Sequence, residues 1–99
     1  MLQIIQNQEA PNYFSVKGNL THDTCMYFVE SLEFDTLHDS LILNISDVQY
    51  LDGSGVGVLV TLAICLQHQR KQLVVISPKD TQPGDMLRYL GILKMLGAR

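Results

Sequence analysis

Charge, cysteine and long apolar runs are all scarce in this chain, and each scarcity excludes something. Charged residues are 17% of the 99, and no basic cluster exceeds Arg70-Lys71. A nucleic-acid interface needs a basic stripe or patch, so the sequence argues against direct nucleic-acid binding. The longest apolar run, Val56 to Leu66, is broken by Gly57 and Thr61. A bilayer span needs about 20 apolar residues, so no membrane insertion is expected. The first ten residues carry Gln3, Gln6, Asn7, Gln8 and Glu9, without the basic and then apolar stretches of a signal peptide. A soluble, cytoplasmic protein is the expectation. The two cysteines, Cys25 and Cys65, fall in predicted helices and form no CxxC or Cys/His ligand spacing. They read as buried, reduced thiols, with no metal site.

Catalytic patterns are missing as well. A G-x-S-x-G nucleophile elbow around Ser54 would need glycines where Asp52 and Val56 stand. Gly53-Ser54-Gly55-Val56-Gly57 has neither the lysine of a phosphate-binding P-loop nor G-x-G-x-x-G spacing, so no nucleotide cofactor is implied. Asp47 and Asp52 do not make a calcium loop. A serine nucleophile needs a positioned base. His22 falls at a helix entrance and His38 in a polar loop. His68 lies fourteen residues along the helix that Ser54 begins, roughly 21 Å away. All three histidines read as solvated surface groups, and the chain does not read as an enzyme.

What is present is a core. Apolar residues are 46% of the chain and net charge is −3, which suits one domain over residues 1–99. Gln3-Ile4-Ile5 and Tyr13 to Lys17, the latter closed by Gly18-Asn19, predict an antiparallel hairpin. A helix follows, capped by Thr21 or Asp23, with Cys25, Phe28, Val29 and Leu32 on one apolar stripe. Asp35 to Ser40 reads as a polar connection. Leu41 to Ile45 predicts a strand buried on both faces, and Ser46-Asp47 a turn. Ser54 to about Arg70 predicts a helix and Leu73 to Ile76 a second buried strand. Strand, helix and strand make a parallel βαβ unit. Pro83 and Gly91 bracket a third helix with Met86, Leu87 and Leu90 inward, and Ile92 to Leu96 form a terminal turn.

The one feature that points to chemistry is Asp52-Gly53-Ser54-Gly55, at the junction of strand and helix. It also fits a plain tight turn, with Asp52 as N-cap and Gly53 supplying an unusual φ. Three observations favour a site. The turn follows the carboxyl end of a sheet, where ligands and modifications cluster in α/β folds. Gly53 and Gly55 clear space around the Ser54 hydroxyl for another protein's active site. The helix it opens is apolar beyond the needs of one core-facing stripe, leaving Val56, Gly57 and Val60 as a docking patch. Unpaired N–H groups and the positive helix end stabilise a phosphate there.

Leu41 to Gly57, reading LILNISDVQYLDGSGVG, resembles the STAS domain family, and within it the bacterial anti-sigma factor antagonists. These have an apolar strand, a short turn, an apolar stretch, then Asp-Ser-Ser-Gly-Leu-Gly opening a helix. The likeness continues through Leu73 to Ile76 and Leu87 to Ile92. It implies a single α/β STAS-like domain with a mixed four- to five-stranded sheet and helices mainly on one face. In that family the second position after the Asp is the phosphorylatable hydroxyl, which here is Ser54. Gly53 stands where a further hydroxyl residue is common, and Val56 where Leu is usual.

The resemblance implies partner switching in transcription regulation. The unphosphorylated protein binds an anti-sigma factor that is also a serine kinase and releases its client. Phosphorylation of Ser54 blocks binding, and a serine phosphatase restores it. Asp52, Gly53, Ser54, Gly55, Val56, Gly57 and Val60 would form the motif and docking surface. The alternative is a STAS subunit docked on a transport ATPase for lipid or anion transport, or in a larger signalling complex. The family fold implies a monomer, while the apolar helix surface leaves a dimer open.

Overall fold

A computed structural model of the chain describes residues 2–31, 40–77 and 81–89. The elements follow in the order β1 (Leu2–Gln6), β2 (Tyr13–Leu20), α1 (Cys25–Ser31), β3 (Ser40–Leu51), α2 (Gly53–His68), β4 (Gln72–Ile76) and α3 (Gln82–Tyr89). The strands form a four-stranded mixed sheet in the order β1-β2-β3-β4. The β1–β2 pair is the expected antiparallel hairpin, while β2–β3 and β3–β4 are parallel. Each parallel pair is joined through a helix, as parallel neighbours require.

Alternation sets the core. Leu2, Phe14, Val16, Leu43, Leu73 and Val75 are buried on one sheet face. Phe28 of α1 and Leu59, Ala63 and Leu66 of α2 join them in one apolar cluster. Leu87 and Pro83 of α3 are fully buried, with Met86 half-buried against the same core. On β3, Leu41, Leu43 and Ile45 are buried but Ile42 and Asn44 are only half-buried. The strand therefore faces the core on one side, not two.

Two expected turns are instead strand irregularities. Gly18-Asn19 does not end β2, because Gly18 takes φ 113° and the strand continues to Leu20. Only glycine adopts that backbone without strain. Ser46-Asp47 does not turn the chain either. The Asn44 side-chain oxygen accepts the Ser46 N–H (2.9 Å), and β3 continues to Leu51. Between paired positions β3 carries an extra residue twice, opposite Ser15–Lys17 and opposite Gly18–Asn19. Such bulges bend a strand without ending it.

α1 departs most from its expected face. Phe28 is buried, Cys25 half-buried and Val29 exposed. The residue before the helix is Thr24, whose hydroxyl donates to the Asn19 carbonyl (2.7 Å) and accepts the Thr21 N–H (3.0 Å). The Thr21 carbonyl accepts the Cys25 N–H (2.9 Å), so of the two expected cap residues it is Thr21 that opens the helix, through its backbone. Cys65 is exposed, so neither thiol is fully buried, and both are free. α2 closes at His68 with Arg70 at φ 60°. There the Lys71 N–H reaches the Leu66 carbonyl (2.7 Å) and the Arg70 N–H the Gln67 carbonyl (3.0 Å), a left-handed helix stop without glycine. Leu32, Glu33, the connection over 35–39 with His38, Leu90, Gly91 and the turn Ile92 to Leu96 lie outside the described residues.

Candidate functional site

The site is built where β3 hands over to α2. Asp52 is extended (φ −104°, ψ −175°) and caps α2 as its sequence position suggests. The Gly55 N–H donates to Asp52 Oδ1 at 2.9 Å, and the Val56 N–H to the Asp52 carbonyl at 3.0 Å. The second carboxylate oxygen, Oδ2, accepts the backbone N–H of His22 at 3.0 Å. Asp52 thereby ties the start of α2 to the β2–α1 turn. Its carboxyl is held below the ordinary aspartate range, chiefly by the Gly55 N–H and then by the His22 N–H. It is ionised at neutral pH.

Two further contacts fix the junction. Gln82 of α3 accepts the Leu51 N–H (2.8 Å) and donates to the Leu51 carbonyl (2.9 Å), so its side-chain amide pairs with the last residue of β3 as a neighbouring strand would. The Asp52 N–H points to the Leu20 carbonyl (3.4 Å) at the end of β2. Sequence reasoning found the cap but neither the His22 nor the Gln82 contact. Both partners lie about thirty residues away, and no local pattern marks them.

The two glycines beside Ser54 differ. A Cβ on Gly53 would meet nothing, and Gly53 has no positive φ, so it leaves open space without supplying an unusual turn. A Cβ on Gly55 would collide with the Leu20 carbonyl oxygen and lie 2.6 Å from Leu51 Cδ1. Gly55 faces inward and lets α2 pack against the strand ends. Only Gly53 clears approach to the serine.

Ser54 is half-buried on the wall of an apolar groove of about 480 Å³ between α1 and α2. Phe28 and Val29 line one side, and Ser54, Gly57, Thr61 and Cys65 the other. The latter four recur at helical spacing and make one stripe of small residues on α2. That stripe is readable in the sequence once the inward face is known. The expected patch of Val56, Gly57 and Val60 is therefore corrected. Val56 is buried and Val60 packs half-buried against the core, leaving Gly57 alone of the three in the groove. The Ser54 hydroxyl has no hydrogen-bond partner among the described residues. His22 reaches the junction through its backbone, and His68 lies exposed at the far end of α2.

The STAS domain model matches residues 3–96. The chain belongs to the STAS domain family. A solved structure of the anti-sigma factor antagonist SpoIIAA in its unphosphorylated form superposes with a TM-score of 0.59 at 15% identity, covering 93% of this chain and 100% of that one. At that identity the likeness is one of fold. No curated protein matches the sequence. Among the described residues of this STAS domain, no helix is long and apolar enough to cross a membrane.

Proposed function

We propose that this STAS domain is an anti-sigma factor antagonist whose docking is switched by phosphorylation of Ser54. The partner is an anti-sigma factor with serine kinase activity, and a serine phosphatase reverses the mark. The observation that carries the reading is the position of Ser54. Its hydroxyl, without a hydrogen-bond partner among the described residues, opens on an apolar groove, beside a glycine that leaves room for a kinase. The fold shared with an anti-sigma factor antagonist supports the same reading. The role is binding, with no reaction of its own.

The physics of the switch is local. A phosphate adds about −1.5 to −2 charges at neutral pH. On a chain of net charge −3 that is a large relative change. It would stand in the first turn of α2, where the helix end stabilises it and the domain stays folded. A partner side chain seated in the groove would then face an unpaired charge, which costs about 2–5 kcal/mol and lowers affinity roughly 30- to several-thousand-fold. No refolding is needed.

The test is intact mass spectrometry of the natively expressed protein with phosphopeptide mapping over Asp47 to Arg70. The expected result is one phosphate on Ser54, absent from a strain lacking the kinase. Ser54→Ala should bind that kinase constitutively, and Ser54→Asp weakly. A chain that is never modified under any growth condition, or acidic variants that bind the kinase as tightly as Ser54, would overturn the reading.

A further inference from the structure

The groove has two unequal walls, and the weaker one is held by a contact that capping does not require. Over its described residues, Cys25–Ser31, α1 has a single buried side chain, Phe28. The turn that introduces it, Thr21 to Thr24, is closed by the Thr24 N–H donating to the Thr21 carbonyl (3.1 Å). Its link to the base of α2 is the His22 N–H donating to Asp52 Oδ2 (3.0 Å). An N-cap needs only one carboxylate oxygen, and here that is Oδ1, which serves Gly55. Oδ2 does something else.

We infer that Asp52 is a positioning residue for the docking groove: its second oxygen clamps the β2–α1 turn and so sets where Val29 and Phe28 stand opposite Ser54 and Thr61. The inference rests on the groove being the docking surface proposed above, and it adds how that surface is kept in shape. Helix capping and clamping are separable because they use different oxygens. Asparagine is as good an N-cap as aspartate but offers one carbonyl oxygen and one NH2. In Asp52→Asn the cap keeps its acceptor, and the His22 N–H then faces a donor.

A second variant removes the clamp from the other side. His22 is the second residue of the four-residue Thr21–Thr24 turn, a position that proline favours. His22→Pro deletes the donor and leaves Asp52 and the cap untouched.

The experiment is amide exchange and methyl NMR on the full chain, for wild type, Asp52→Asn and His22→Pro. Wild type should protect both the His22 and Gly55 amides. In Asp52→Asn, Gly55 stays protected, His22 exchanges about tenfold faster or more, and the methyl shifts of Val29 and of Leu62, which lines the groove from α2, move while those of Val75 do not. His22→Pro should reproduce the methyl shifts. A purely structural cap would disturb Val56 and leave Val29 alone. In both variants the kinase should bind about tenfold more weakly although Ser54 is intact. Unchanged His22 exchange in Asp52→Asn, or unchanged Val29 shifts in both variants, would overturn the clamp. The exchange and shift measurements need no partner. An absent phosphate at Ser54 therefore defeats the switch reading without touching this one.

Discussion

The two helices that wall the groove hold their places by different means. α2 runs sixteen residues and buries six of them, Gly55, Val56, Leu59, Leu62, Ala63 and Leu66. α1 runs seven residues and buries Phe28, while Met26, Tyr27 and Val29 are 65%, 54% and 47% exposed. α2 is fixed along its length by packing. The described residues of α1 are fixed by one aromatic ring and by hydrogen bonds at its entrance. A groove made of one rigid and one lightly held wall concentrates its sensitivity in few residues. Those residues are Phe28, Asp52 and His22.

The largest expected effect tests the aromatic anchor. Phe28→Ala should lose about 3–5 kcal/mol in urea unfolding, with amide protection in α1 falling further than in α2. Equal loss of protection in both helices would erase the distinction drawn between them. Next comes the α2 side. Gly55→Ala places a methyl against the Leu20 carbonyl and Leu51, and should cost about 1–3 kcal/mol by the same measurement. No cost would mean that α2 is free to shift on the sheet.

The entrance contacts carry a pH signature. The Asp52 carboxyl is lowered in the folded state, so its contribution is fully present above the ordinary aspartate value and is lost as pH falls through the lowered one. The stability gap between wild type and Asp52→Ala should therefore be constant near neutrality and close in strong acid, as thermal melts at a series of pH values will show. A gap that instead closed toward high pH would rule out the carboxylate as the bonded form. Gly53→Ala is the counterpart to Gly55→Ala. With open space and a helical backbone, it should stabilise by about 0.5–1 kcal/mol. The smallest expected effect is Val29→Ser, within about 0.5 kcal/mol of wild type in stability because the side chain is exposed. Binding to the proposed kinase partner should nonetheless weaken, which would separate a docking role of the groove from any role in folding.

Local pattern and tertiary packing divided the molecule between them. The order of strands and helices, the parallel βαβ unit and the Asp52 cap were all legible, because each rests on residues within one turn or one alternation. Ser54 was legible for the same reason: its place in the first turn of α2 follows from the sequence alone. The ends of β2 and β3 were not. Gly18-Asn19 and Ser46-Asp47 have turn composition, but the neighbouring strand supplies hydrogen bonds on both sides of each irregularity and keeps the chain extended. The different burial of Val29 and Phe28, and the different tasks of Gly53 and Gly55, also depend on what lies across the chain. So do Val56 and Val60, which the sequence marks as apolar without saying that the core takes them. Spacing along a chain fixes which residues share a face. Which face turns inward, and which distant N–H a carboxylate holds, is decided by packing between segments some thirty residues apart.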